Sequence, residues 1–159
     1  GIVSALQRAG LNPNRLELEV PESLLIEDNH ATSNFIQELS SLGVKFALDD
    51  FGTGYSSLGY INRFPFNKIK VDRSFVSGAK VGRRSDAIIR AVAEMGNTLE
   101  MEIVAEGLET IEQVQAVREA GCTLGQGFYF SRAVPDYLAA MLLMQEREPT
   151  NCERPALRA

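Results

Sequence analysis

Short apolar runs alternate along the chain with longer stretches in which apolar residues recur at helical spacing. Leu16–Val20, Val44–Leu48, Lys68–Val71, Glu102–Ala105 and Gln126–Phe130 are brief and rich in Val, Ile, Leu and Phe, as strands covered on both faces are. Between them, Thr32–Leu42 carries Phe35, Ile36 and Leu39 on one helical face and stops at Gly43. Ser85–Leu99 sets Ile88, Ile89, Val92, Ala93 and Met95 on one stripe. Thr110–Ala120 opens with Thr110 and Gln113 in capping-box spacing and closes on Gly121. A further helix is predicted after Pro135. This alternation predicts an α/β fold of repeated βα units around a parallel sheet.

The chain has 159 residues, the size of one domain. That domain is expected over residues 1–145. Residues 146–159, with Pro149, Pro155, three arginines and three glutamates, are expected to form a flexible tail. Ser4–Ala9 reads as the closing turns of a helix ending at Gly10, so sequence is expected upstream of Gly1. A net charge of −5 argues against attraction to a nucleic acid polymer or an anionic membrane surface. No apolar run approaches the roughly 18 residues of a membrane-spanning helix. Cys122 and Cys152 lack CxxC spacing, which fits neither a disulfide framework nor a zinc cluster and points to reduced cytoplasmic thiols. The single histidine, His30, stands in a polar stretch, which removes most His-based catalytic schemes.

The charged residues then change the picture, because they gather at the ends of the predicted strands. The first strand ends near Glu19 and Glu22, the second in Asp49-Asp50, the third in Lys70 and Asp72, the fourth in Glu106, and the fifth begins at Gln126. Charges in such places are costly unless paired or bound to a metal. In a parallel barrel, the C-terminal ends of the strands converge on one site, which would bring Glu19, Asp49, Asp50, Lys70, Glu106 and Gln126 together. Carboxylates without His or Cys make an all-oxygen site suited to Mg²⁺ or Mn²⁺. Asp49 and Asp50 could serve two metals in phosphoester hydrolysis, with Lys70 orienting a water and offsetting negative charge.

The loop Phe51-Gly52-Thr53-Gly54-Tyr55-Ser56-Ser57, with two glycines and four hydroxyl side chains, has the composition of a lid over such a site. Asp50-Phe51-Gly52 also spells a kinase metal motif, but neither the Gly-rich loop nor the HRD element of a kinase precedes it. Gly52-Thr53-Gly54 lacks the third glycine of a dinucleotide fingerprint.

Taken in order, these segments resemble the EAL family of cyclic di-GMP phosphodiesterases. The resemblance is carried by Leu16-Glu17-Leu18-Glu19-Val20-Pro21-Glu22-Ser23, by Asp49-Asp50-Phe51-Gly52-Thr53-Gly54-Tyr55-Ser56-Ser57-Leu58 and by Lys70-Val71-Asp72-Arg73-Ser74-Phe75-Val76. Ala105-Glu106-Gly107-Leu108-Glu109-Thr110 and Gln126-Gly127-Phe128-Tyr129-Phe130 complete it, over about Leu11–Pro135.

The resemblance implies a TIM-type (β/α)8 barrel that hydrolyses cyclic di-GMP to linear pGpG with Mg²⁺ or Mn²⁺. Carried over by position, Glu19, Asp49, Asp50, Glu106 and Gln126 would serve the metals. Lys70 and Glu106 would act on the attacking water, and Glu22 and Glu109 would brace the loops. The Glu-Ala-Leu segment and the asparagine that follows it in the family are absent, and Pro21 replaces a usual threonine. The chain therefore resembles the last five of eight βα units. Its open edges would favour a homodimer or a strand-exchanged oligomer. Apolar side chains lining the barrel interior would then meet water. The family resemblance also leaves room for a degenerate domain that binds cyclic di-GMP or a protein without hydrolysis, and for hydrolysis of another phosphodiester. Cytoplasmic location is implied, alone or as the cytoplasmic part of a membrane-tethered signalling protein.

Overall fold

The computed structural model describes residues 1–26, 30–52, 59–76 and 83–145. The tail 146–159 and the lid positions Thr53, Gly54, Tyr55, Ser56 and Ser57 lie outside the described residues. Five strands alternate with helices: β1 (Glu17–Pro21), β2 (Lys45–Phe51), β3 (Lys68–Val71), β4 (Glu102–Ala105) and β5 (Leu124–Gly125). The helices are α1 (Ile2–Ala9), α2 (Ser23–Ile26), α3 (His30–Ser41), α4 (Gly59–Arg63), α5 (Arg83–Thr98), α6 (Ile111–Glu119) and α7 (Asp136–Gln145). Helix α6 begins at the capping box read from the sequence, with Thr110 accepting from the Gln113 N–H and the Gln113 side chain accepting from the Thr110 N–H.

All pairings are parallel, and the strands lie in chain order, β1-β2-β3-β4-β5. An order without reversal is that of a barrel rather than a doubly wound sheet. Right-handed crossovers then place the connecting helices on the same side.

Strand alternation explains what each side carries. Val20, Leu48, Ile69 and Ile103 stand in register across four strands and are buried, as are Phe46, Val71 and Ala105. They form the core with Ile36 and Leu39 of α3, Ile89 and Val92 of α5, and Val114 and Val117 of α6. Each fully buried Leu or Ile side chain contributes about 1.5–3 kcal/mol of transfer free energy. The alternate positions are Glu17, Glu19, Ala47, Asp49, Lys68, Lys70, Glu102 and Val104. The inner side of these strands is therefore largely charged, not apolar as the barrel analogy suggested. Its charges neutralise one another in layers, with Lys68 Nζ 2.8 Å from Glu17 and 3.5 Å from Glu102.

The fifth strand also differs from the run Gln126–Phe130. Its ladder covers Leu124–Gly125, because Leu108 from the loop after β4 takes over the next hydrogen bonds. The Gln126 N–H donates to the Ala105 carbonyl at 2.9 Å, while the Gln126 carbonyl accepts from Leu108 at 3.1 Å. The chain then turns, the Phe130 N–H bonding back to Gly127 at 3.1 Å. Phe128, at 58% exposure, lies on a turn rather than in a sheet.

Candidate functional site

Lys70 is the penultimate residue of β3, with a side chain only 6% exposed, and its ammonium gathers carboxylates from both directions across the sheet. Nζ lies 2.7 Å from Glu19 Oε1 of β1, 3.1 Å from Asp49 Oδ1 of β2 and 2.8 Å from Glu106 Oε1, just past β4. Three acceptors thus match the three protons of an ammonium. Burial alone depresses the Lys70 pKa, but the hydrogen bonds to Glu106, Glu19 and Asp49 outweigh it and hold the amine above the ordinary lysine value. Burial pushes the Glu106 carboxyl up; Lys70 opposes that, while the charges of Asp49 and Glu19 add to it.

Asp50 joins the group through an irregularity in β2. Leu48 pairs with Ile69 and Phe51 pairs with Val71, so two residues, Asp49 and Asp50, stand opposite the single Lys70. This is a β-bulge, and Asp50 adopts a left-handed φ of 55° in it. In a regular strand, neighbouring side chains leave opposite faces. Here one oxygen from each of Asp49, Asp50 and Glu106 lies within 4.8 Å of the others. Oxygens bound to one divalent cation at about 2.0–2.6 Å lie up to roughly 4–5 Å apart across it. The donor set and its surplus of negative charge therefore fit such a cation.

Around this group the backbone is held by side chains from neighbouring units. The Gly52 N–H donates to Glu22 Oε2 at 3.2 Å. Glu22 is 3% exposed, and its Oε1 has no hydrogen-bond partner among the described residues. The loop after β4 is tied by Gln113, which the sequence offered only as a helix cap. Its Oε1 accepts from Glu109 at 2.7 Å, and its Nε2 donates to the Val76 carbonyl at 3.2 Å. The Glu109 side chain is itself exposed, and it is the Glu109 backbone N–H that Gln113 holds. Gln126 sits beside Glu106 at the sheet end through its backbone, while its exposed side chain joins none of these ion pairs.

With this geometry in view, the relatives can be placed. The EAL domain family matches residues 1–133 of this sequence. The chain belongs to the EAL family. Among EAL relatives, the cyclic di-GMP phosphodiesterase NbdA of Pseudomonas aeruginosa is 44% identical over 137 residues, which are 86% of this chain and 17% of NbdA. MucR of the same organism, a bifunctional diguanylate cyclase and cyclic di-GMP phosphodiesterase, is 42% identical over 83% of this chain and 19% of its own length. The solved MucR phosphodiesterase, in complex with c-di-GMP, superposes with a TM-score of 0.81 at 40% identity, covering 87% of this chain and 61% of that one. BlrP1 of Klebsiella pneumoniae, solved with manganese and cyclic di-GMP, gives 0.77 at 37% identity, over 82% of this chain and 33% of BlrP1. The chain thus spans about a fifth of the length of the curated EAL relatives it matches. Its five in-order strands are an arc of the TIM-type barrel of EAL domains.

Proposed function

We propose that this chain carries most of the metal site of a phosphodiesterase that hydrolyses cyclic di-GMP to linear pGpG with Mg²⁺ or Mn²⁺. The observation that carries the reading is the convergence of Glu19, Asp49 and Glu106 on Lys70, with Asp50 brought alongside by the bulge. Asp49, Asp50 and Glu106 would hold cations, with Glu19 at the margin and Gln126 toward the substrate. Cations bound there supply charge for phosphate oxygens and acidify water.

The residues' own parts follow from their chemistry. When its carboxylates are shared with a cation, Lys70 has a proton donor to spare for the attacking water. Glu106, whose carboxylate lies 2.8 Å from Lys70 Nζ, is the group suited by position to take the water proton. The water oxygen bonds to phosphorus, the P–O bond to the 3′ oxygen breaks, and the proton ends on that oxygen. Glu22 holds the Gly52 amide and so the strand end on which Asp50 sits. A homodimer or strand-exchanged oligomer in the cytoplasm completes the reading, since β1 and β5 each have one edge unpaired among the described residues.

The test uses the chain itself and a chimera in which it replaces the matching part of the MucR phosphodiesterase domain. Each is given cyclic di-GMP with Mn²⁺, and pGpG is followed by chromatography. The chimera is expected to turn over, and Lys70→Met or Glu106→Gln to abolish it. Binding without turnover in the chimera, by calorimetry, would make this a receptor rather than an enzyme.

A further inference from the structure

The short 3₁₀ turn Arg73–Phe75, just after β3, is wedged between the backbones that lead from Asp50 and Glu106. On one side, a Cβ placed on Gly52 would lie 2.7 Å from Cε2 and 2.8 Å from Cζ of Phe75, so the ring lies directly against the glycine. On the other, a Cβ on Gly107 would lie 2.5 Å from the Cβ of Arg73. Both glycines have left-handed φ, 95° and 70°, and both allow a closeness of approach that other residues forbid. The turn is fixed from behind. Asp72 accepts from the Ser74 N–H at 2.9 Å, Val76 is fully buried, and its carbonyl accepts from Gln113.

We infer that this turn is the spacer that sets the separation of Asp50 from Glu106, and that Phe75 is a positioning residue acting through the backbone of Gly52. The inference rests on reading Asp49, Asp50 and Glu106 as cation ligands. A left-handed φ is unfavourable for a residue with a side chain, so the Asp50 conformation persists only where its flanks hold it. Those flanks are Phe51, paired with Val71, and Gly52, clamped between the Glu22 carboxylate and the Phe75 ring. Shortening that ring gives Gly52 room to move, and the Asp50 carboxylate leaves the other two.

The experiment measures Mn²⁺ affinity of the full chain by calorimetry, for the native protein, Phe75→Leu and Phe66→Leu. Phe66 is a buried core phenylalanine, where Phe75 is partly buried against the core, and it precedes β3, at the end of the strand away from Lys70. Phe75→Leu is expected to weaken Mn²⁺ binding about ten-fold, the scale of losing support behind a ligand, while Phe66→Leu costs stability and leaves affinity unchanged. Amide exchange at Gly52, read by NMR without metal, is expected to quicken in Phe75→Leu and not in Phe66→Leu. Gly52→Ala should also cost less affinity in a Phe75→Ala background, where the collision is removed. Equal behaviour of Phe75→Leu and Phe66→Leu would overturn the inference. If the native chain bound no Mn²⁺, the metal reading would fall and the Gly52 amide alone would decide the positioning role. If Mn²⁺ bound as expected but cyclic di-GMP were never hydrolysed, only the proposed function would fall.

Discussion

Asp49 and Asp50 are adjacent in sequence, yet their carboxylates lie on the same side of β2, and the Asp50 N–H donates to Asp49 Oδ1 at 3.0 Å. One extra residue in the β2–β3 ladder produces this, by setting both aspartates opposite Lys70. The arrangement concentrates negative charge around one buried ammonium, and the consequences are measurable.

Replacing Lys70 with Met leaves Glu19, Asp49 and Glu106 without their cation. Breaking a fully buried pair costs roughly 3–5 kcal/mol, and the loss here is expected to be smaller, about 2–3 kcal/mol at neutral pH. The discount arises because the Glu19 side chain is 51% exposed. Urea unfolding with and without Mn²⁺ checks it, since Mn²⁺ should restore more stability to the variant than to the native chain.

Glu106 tests the sign of the electrostatics. Burial, with the charges of Asp49 and Glu19, raises its pKa in the folded chain despite Lys70. The folded state therefore holds that proton more tightly than the unfolded state, and this group's contribution to stability is lost as pH rises through the carboxylate range. Metal-free Glu106→Gln is expected to match the native chain in acid and to exceed its stability at neutral pH, while binding Mn²⁺ more weakly. A variant less stable at neutral pH would show that the Lys70 pairing dominates.

Cys122 is buried, and burial pushes its thiol up to about 11. It is expected to resist iodoacetamide at about pH 8 in the native chain and to react once urea unfolds it, as peptide mapping by mass spectrometry would show. Between the ordinary 9.0 and about 11, the unfolded chain ionises this thiol and the folded chain does not. Cys122→Ala should therefore flatten the alkaline loss of stability in that window.

Metal dependence is expected to follow the all-oxygen donor set. In the MucR chimera, Mg²⁺ or Mn²⁺ should support turnover, excess chelator should abolish it, and Ca²⁺ should bind without supporting it. A larger, more loosely coordinated ion places a water less accurately for attack. Full turnover in chelator would refute the metal-dependent reading.

Helix α7 presents Tyr137, Leu143 and Met144 at 64%, 67% and 71% exposure, which adds to the edges of β1 and β5 left unpaired among the described residues. The chain is expected to self-associate with rising concentration in light scattering. Leu143→Glu with Met144→Lys should reduce that association without lowering Mn²⁺ affinity.

Much of this molecule was legible along the chain. The apolar period placed β1, β3 and β4 within a residue and the start of β2, which runs three residues past Leu48 to Phe51, because local backbone geometry and one-sided burial imprint themselves directly on sequence. The Thr110–Gln113 cap was equally local. Polar residues closing apolar runs marked Glu19, Asp49, Lys70 and Glu106, since a charge at a strand end is rarely without a partner.

The rest was decided by contacts between segments remote in sequence. The run Gln126–Phe130 reads as a strand, but Leu108 arrives from another unit and takes the hydrogen bonds that would have extended it. The charged inner layer of Lys68 with Glu17 and Glu102 needed three strands in register before the alternating charges could be seen as pairs. Phe75 reads as one more apolar residue until the fold seats its ring against Gly52. Nothing in the pair Asp49-Asp50 announces that strand alternation fails there. Sequence pattern determined which residues could meet at the sheet end; a one-residue insertion in the β2–β3 ladder, set by packing on either side of it, decided that Asp49 and Asp50 both do.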